Sequence, residues 1–228
     1  MVAKNSFMLL CKAGYPFVIS ALVLTLIAIS LGYLWPTLVF GVVLAFFVLF
    51  FRDPKRVIPA EPGAVVAPAD GRIVEVEEVF EREYLGGKVR KISVFMNLFN
   101  VHVNRMPVAA RVIRVIRQPG SFMPADRKDA SRKNSRVLLF LETNEGQRLL
   151  VVQVAGLVAR RIICYARAGD FLEKGQRFGV ILFGSRVDVY LPLDFQPRVG
   201  LGTVTRAGVT VIGEMRVEAE RKSQAEKG

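Results

Sequence analysis

The stretch VILFGSRVDVYL, residues 180–191, combines branched apolar side chains with a central Gly-Ser pair. Branched residues with turn punctuation are typical of β-strands. Five more stretches have this character: Arg72–Val79, Lys88–Phe95, Val108–Ile116, Arg136–Leu141 and Arg148–Val154. Helical periodicity is scarce in the same region, so the sequence predicts a mainly β domain over residues 53–217.

Three short glycine-headed units resemble quasi-repeats within this domain: GRIV at 71–74, GLVA at 156–159 and GTVT at 202–205. Turn residues at 169–170 and 174–175 precede the last long strand. Together they resemble the compact antiparallel barrel-sandwich folds of lipoyl and biotinyl carrier domains. The polar tail over residues 218–228 is predicted to be disordered.

The amino-terminal part is a long apolar segment without a charged residue between Tyr15 and Phe51. The segment Gly32–Pro36 interrupts it near its middle. Residues 16–35 are long enough to cross a hydrocarbon layer of ~30 Å, whereas residues 36–51 reach only about 24 Å as a helix. The sequence therefore predicts a transmembrane or re-entrant helical hairpin over residues 1–52.

Basic residues flank this hairpin on both sides: Lys4 and Lys12 before it, and Arg52, Lys55 and Arg56 after it. Positive flanks favour the cytoplasmic side of the cell membrane, so the following domain is expected there. A signal peptide is the alternative. A second apolar run and the absence of a clean small-residue cleavage site count against it.

The chain carries a formal net charge of +12, and the charge is concentrated in one region. Residues 105–136 contain nine Lys or Arg against two Asp. Near an anionic leaflet each basic residue contributes ~1 kcal/mol to the free energy of membrane binding. Anionic lipids are therefore the expected partners, with the loop around Phe122 and Met123 touching lipid. Nucleic acid is not expected, since the basic stretch lacks interleaved aromatic residues.

No metal site is expected, because the chain has one histidine and two distant cysteines, Cys11 and Cys164. Neither cysteine has disulfide spacing, and a reduced cytoplasmic compartment accounts for both.

Three short segments carry the residue types of a Ser-His-Asp relay: Asp70 in PADG, His102 in NVHVNR and Ser185 in FGS. Such a relay is recognised by geometry and roles rather than by chain order. Each residue alone has an ordinary structural explanation, since a lone histidine often sits in a strand and Asp-Gly is a common turn. The combination is the informative feature.

These segments, in this order, resemble the phosphatidylserine decarboxylases, in particular their short membrane-associated form. The resemblance extends from about Arg52 to Met215 and rests on five motifs: FRDP at 51–54, PADG at 68–71, NVHVNR at 100–105, the Ala130-Ser131 loop ending in NSR at 134–136, and FGS at 183–185. It implies a proenzyme that cuts itself between Gly184 and Ser185. The products would be an associated β chain of residues 1–184 and α chain of residues 185–228.

The resemblance further implies that Ser185 becomes a pyruvoyl cofactor, which forms a Schiff base with phosphatidylserine and releases CO2 to give phosphatidylethanolamine. Attack of the Ser185 hydroxyl on the Gly184 carbonyl needs a base, and His102 is the only imidazole. Asp70 is the candidate that orients it. Gly184 tolerates backbone angles that expose its carbonyl.

Two departures from the family pattern leave the roles open. Longer relatives carry a second histidine where this chain has Arg105, so His102 either serves both self-cleavage and decarboxylation or only one of them. Many relatives have threonine where this chain has Arg186.

The alternative function is a non-enzymatic membrane-anchored adaptor, which predicts an intact chain. The sequence leaves a homo-oligomer open.

Overall fold

A computed structural model describes residues 10–125, 127, 129–157, 161–182 and 184–215. The predicted disordered tail, residues 218–228, lies outside this range. Contacts divide the chain into two compact units. One contains the chain up to Lys55 together with Phe99–Val101, and the other contains Arg56–Leu98 and the chain from His102 onward.

The first unit is a helical hairpin formed by α1 (Tyr15–Ser30) and α2 (Leu34–Phe50). Its base is closed by a hydrogen bond from the Cys11 N–H to the Phe51 carbonyl, 2.8 Å. The Phe17 ring lies 5.2 Å from the Phe51 ring. The helix that runs from Lys12 to Ser30 is long and apolar enough to cross a membrane, whereas α2 is shorter. The predicted apolar hairpin is therefore present.

The described residues of the second unit form β-strands and one short helix, α3 (Ala130–Lys133). The strands among the described residues are β1 (Ala64–Val66), β2 (Gly71–Glu81), β3 (Gly87–Met96), β4 (Val103–Arg105), β5 (Ala110–Gln118), β6 (Arg136–Glu142), β7 (Arg148–Ala155), β8 (Ile162–Cys164), β9 (Phe171–Leu172), β10 (Arg177–Ile181), β11 (Ser185–Leu191), β12 (Gln196–Pro197), β13 (Val204–Thr205) and β14 (Val211–Glu214). The prediction of a mainly β domain is confirmed.

These strands form three antiparallel sheets. The largest has the order β13-β2-β3-β11-β7-β6-β5-β9, and the smaller sheets have the orders β4-β10-β8 and β1-β14-β12. Five of the six predicted strands correspond to β2, β3, β5, β6 and β7. The sixth prediction was wrong in one respect, because residues 180–191 are not one strand. β10 ends at Ile181 in a small sheet, and β11 begins at Ser185 in the large one.

Strand β11 lies in the middle of the large sheet, with β3 on one side and β7 on the other. Side chains alternate between the two faces of a strand. Val187, Val189 and Leu191 face the main core, to which all three sheets contribute. On the opposite face, Leu138, Leu150 and Val152 form a second apolar cluster with Tyr190 packed against it. The two faces of β11 therefore have different surroundings.

Candidate active site

Ser185 is the first residue of β11 and is fully buried, with 0% of its surface exposed. It pairs with Met96 on β3 and with Ala155 on β7. Its Oγ lies 3.9 Å from the Met96 Sδ atom. A thioether is a weak hydrogen-bond acceptor, so this hydroxyl is only loosely held.

Gly184 precedes Ser185 and adopts φ of +63°, in the left-handed region. Residues with a Cβ rarely adopt this conformation, and glycine does so without steric cost. The turn separates β10 from β11, which explains why the predicted long strand is interrupted here. The peptide bond between Gly184 and Ser185 is thus the junction between two sheets.

His102 immediately precedes β4 and is 1% exposed. Its carbonyl accepts a hydrogen bond from the Ile181 N–H at 3.3 Å, at the end of β10. Val103 pairs with Val180 in the same small sheet. Since Ser185 is only four residues beyond Ile181, the backbone of His102 lies beside the start of the connection that leads to the serine.

Asp70 immediately precedes β2 and is buried. The N–H of Arg105 donates to the Pro68 carbonyl at 2.9 Å, so the chain leading to Asp70 runs beside the chain that follows His102. The Asp70 carboxylate accepts hydrogen bonds from the Arg56 guanidinium and from the Ala207 N–H, each at 2.7 Å. Within the described residues its two oxygens thus have partners other than His102, and its orienting role stays a prediction.

The large sheet also brings Asp70 and Ser185 towards each other through β3. Arg72 pairs with Phe95 on one side of β3, and Ser185 pairs with the next residue, Met96, on the other. The structure therefore places the three predicted segments around one end of the large sheet.

Two buried amides near Ser185 were missed by sequence reasoning. The Gln153 Nε2 donates to the Asn104 Oδ1 at 2.8 Å, and the Asn104 Nδ2 lies 3.7 Å from the Met96 Sδ. Both amide side chains are 0% exposed. One signal was available, because Gln153 is the only polar residue in the apolar run LLVVQVA, residues 149–155.

Arg186 lies on the other face of β11, in a buried cluster of charges. Its Nε donates to the Asp188 Oδ1 at 2.5 Å and its Nη2 to the Ser93 Oγ at 2.8 Å. It also pairs with Glu75, which the Lys91 ammonium contacts at 2.6 Å. The sequence marked Arg186 only as a departure from the family pattern, and gave no indication of these partners.

The charged groups in this cluster shift one another's pKa values. Burial raises the pKa of the Glu75 carboxyl, but hydrogen bonds from Arg186 and Lys91 outweigh it and hold that pKa below its ordinary value of 4.5. Burial lowers the pKa of the Arg186 guanidinium, but the Asp188 and Glu75 carboxylates outweigh it and raise that pKa. Both groups are therefore charged at neutral pH.

No group of three or more His, Cys, Asp or Glu side chains that could hold a metal ion occurs among the described residues. The site at Ser185 contains a hydroxyl and an adjacent backbone carbonyl, and the neighbouring segment carries the buried imidazole of His102. These are the groups needed for acyl transfer.

Comparisons with known proteins point to one family. A model of the family "Phosphatidylserine decarboxylase" matches residues 43–213. The chain is 47% identical over 211 residues to a protein of Cupriavidus taiwanensis, covering 92% of this chain and 97% of the relative. It is 43% identical over 204 residues to one of Desulfotalea psychrophila, covering 90% and 95%. A third relative, from Pelobacter propionicus, is 47% identical over 219 residues, covering 93% and 99%. Each relative is named phosphatidylserine decarboxylase proenzyme.

Proposed function

The chain belongs to the phosphatidylserine decarboxylase family, and from that membership we propose that it cuts itself between Gly184 and Ser185 and turns Ser185 into a pyruvoyl group. Its activity is the decarboxylation of phosphatidylserine. The supporting relatives are named proenzymes, which implies processing.

The observation that carries this proposal is the geometry of the Gly184–Ser185 peptide bond. Gly184 holds a left-handed conformation, and among the residues that the structure describes the Ser185 hydroxyl has only a weakly accepting sulfur as its hydrogen-bond partner. A hydroxyl held by so weak an acceptor is available to react, and the neighbouring Gly184 carbonyl is its proposed target.

We assign His102 as the base that removes the Ser185 hydroxyl proton. As the Oγ attacks the Gly184 carbonyl carbon, an ester bond forms, the C–N bond breaks, and the nitrogen takes a proton. Loss of the Ser185 α-proton then expels the Gly184 carboxylate and leaves dehydroalanine. That group tautomerises and reacts with water, releasing ammonia. Asp70 is proposed to orient His102.

A pyruvoyl group supplies an electron sink for the pair left when CO2 departs from an amino acid. The chain's own residues hold the new amino terminus in place. After a cut, β11 would belong to the α chain, while its partners β3 and β7 would belong to the β chain. These ladders support the proposal that the two chains remain associated.

We propose that the hairpin anchors the protein in the cell membrane with the β domain on the cytoplasmic side. The apolar Lys12–Ser30 helix and the basic residues around the hairpin support this orientation. Phe122 is 37% exposed in a basic part of the chain, which suits contact with anionic lipid.

The test is an intact-mass spectrum of the purified protein. We expect a fragment of residues 185–228 that is lighter than its encoded mass by one ammonia. Ser185→Ala should give one uncut and inactive chain, while Ser121→Ala, at an exposed serine, should be cut like the wild type. A single uncut wild-type chain, or normal activity in Ser185→Ala, would refute the pyruvoyl mechanism. An uncut chain would favour the non-enzymatic adaptor.

A further inference from the structure

Gly156 lies directly beside the peptide bond proposed to break. Ser185 pairs with Ala155, so Gly184 and Gly156 are the next residues beyond that pair. A Cβ placed on Gly156 would lie 2.1 Å from the Gly184 carbonyl oxygen and 3.0 Å from its carbonyl carbon. The carbonyl of Gly184 thus occupies the space that a side chain at position 156 would need.

The two glycines have complementary requirements. Gly184 itself has open space around its Cβ position, and its left-handed φ is what requires glycine there. Gly156 has no positive φ, so its requirement is steric and comes from the neighbouring carbonyl. The Ala125 Cβ is 3.4 Å from the same point, so the space is bounded on a second side.

We infer that Gly156 is a positioning residue for self-cleavage, because its missing side chain lets the Gly184 carbonyl sit where the Ser185 hydroxyl can attack it. This inference rests on the proposed function. In the attack, the Oγ–C bond forms and the carbonyl electron pair moves onto the oxygen. That oxygen is the atom packed against Gly156, so its position during the step depends on this residue.

A methyl group at position 156 would require the distance to the carbonyl oxygen to grow from 2.1 Å to at least 3.4 Å, the start of ordinary contact, so the oxygen would be displaced by more than 1 Å. A misplacement of about 1 Å can slow an enzymatic step by roughly 10²-fold. We therefore expect Gly156→Ala to slow self-cleavage by about 10²-fold or more.

Two other glycines provide matched controls. A Cβ on Gly213 would lie 2.2 Å from the Gln196 carbonyl oxygen in the sheet β1-β14-β12 and 2.3 Å from the Phe195 ring, so Gly213→Ala is at least as disruptive to packing as Gly156→Ala but lies in a different sheet from Ser185. A Cβ on Gly87 would have nothing within 4 Å, so Gly87→Ala is a neutral substitution. Any general loss of folding stability should appear in Gly213→Ala, whereas a specific effect on the cut should not.

The experiment follows cleavage of newly made full-length precursor by intact mass, with the melting temperature measured on the same samples. We expect Gly87→Ala and Gly213→Ala to be cut within a few-fold of the wild-type rate, and Gly156→Ala to be cut about 10²-fold more slowly. A wild-type rate in Gly156→Ala would overturn the inference. Equal slowing in Gly156→Ala and Gly213→Ala would also overturn it, because it would reveal a stability effect.

A second readout separates cleavage from later chemistry. Once the bond is cut, Gly184 is a free chain end and its carbonyl no longer needs to be positioned. The Gly156→Ala molecules that are cut should therefore decarboxylate phosphatidylserine at the wild-type rate per pyruvoyl group. Normal cleavage with slow decarboxylation would overturn the inference. An uncut wild-type chain would instead refute the proposed function itself.

Ala125→Gly offers a rescue test. It removes the methyl group that lies 3.4 Å from the Cβ introduced at position 156, which gives the new methyl group more room. The double variant should be cut faster than Gly156→Ala but more slowly than Ala125→Gly alone. If Gly156→Ala does not fold, the test is the cleavage rate of the double variant compared with that of Ala125→Gly. Equal cleavage rates in these two variants would overturn the inference.

Discussion

Ser185 and Arg186 are consecutive residues of β11, yet the two faces of the strand hold them very differently. The Ser185 hydroxyl faces the main core and lies 3.9 Å from a thioether sulfur. The Arg186 guanidinium, 0% exposed, is bonded to Glu75, Ser93 and Asp188 on the opposite face. Charge-assisted hydrogen bonds are roughly twice as strong as neutral ones.

The difference indicates how the backbone of a reactive residue can be held in place while its side chain stays available to react. The backbone at the start of β11 is held by its ladders and by the charged cluster of Arg186. The serine hydroxyl, in contrast, contacts a weakly accepting sulfur, and within the described part of the chain it has no stronger hydrogen bond that an attack would need to break. Anchoring on one face therefore leaves the other face available for chemistry.

The largest expected effect is at His102, the base proposed to act on the Ser185 hydroxyl. Removing a general base slows a reaction by about 10²- to 10⁴-fold, so His102→Ala should be cut that much more slowly. Intact mass over time measures the rate. Normal cleavage without decarboxylation would assign His102 to the second step alone, and normal rates of both would remove it from the mechanism.

The next effect concerns the anchored face. Arg186→Met would leave the Glu75 and Asp188 carboxylates buried without this cation, which should lower the free energy of unfolding by about 3–5 kcal/mol. Denaturant unfolding in the uncut Ser185→Ala background measures it. Arg148→Met, at a side chain that is 79% exposed, should change stability by about 1 kcal/mol or less. Similar losses in both variants would contradict the anchoring role.

The pH dependence of folding stability tests the role of Glu75 in the charged cluster. Burial raises the pKa of Glu75, but Arg186 and Lys91 outweigh it and lower that pKa below 4.5 in the folded state. A lowered pKa contributes stability above the unfolded value, and this contribution is lost as the pH falls through the folded value. The stability difference between wild type and Glu75→Gln should therefore narrow below pH 4.5. A difference that is constant from pH 7 to pH 3 would refute this pairing.

The smallest effect is expected at Met96, the weak partner of Ser185. Met96→Leu conserves volume in the core, so it should cost less than about 1.5 kcal/mol. Because the sulfur holds the hydroxyl only weakly, self-cleavage should stay within a few-fold of the wild-type rate. Slowing of self-cleavage by more than tenfold, at unchanged stability, would show that the sulfur positions the Ser185 hydroxyl. That result would contradict the contrast between the two faces of β11.

Much of the fold could be predicted because local composition decides it. Branched residues predicted five of the long strands, and a run without charges predicted the helical hairpin. The prediction failed at residues 182–184, where β10 gives way to β11. Apolar residues continue through this junction, so composition did not reveal that the chain changes sheets at Gly184.

The candidate site was predicted as a set of residue types, without their contacts. Ser185, His102 and Asp70 were recognisable because hydroxyl, imidazole and carboxylate carry acyl-transfer chemistry. Gln153 and Asn104 were missed as site residues, although Asn104 lies in the NVHVNR motif, because their contact joins segments 49 positions apart. The Arg56 and Ala207 partners of Asp70 were missed as well, because they come from distant parts of the chain.

The amino-acid sequence alone predicts the apolar hairpin, the strand-forming segments and the residue types available for self-cleavage, since these depend on side chains close together along the chain. The groups that surround Ser185, in contrast, follow from the folded arrangement of the strands. Arg186 meets Glu75 across 111 positions of sequence, and the Gly184 carbonyl meets Gly156 across two strands. Such contacts arise from strand order and register, which depend on how all the strands pack around one core.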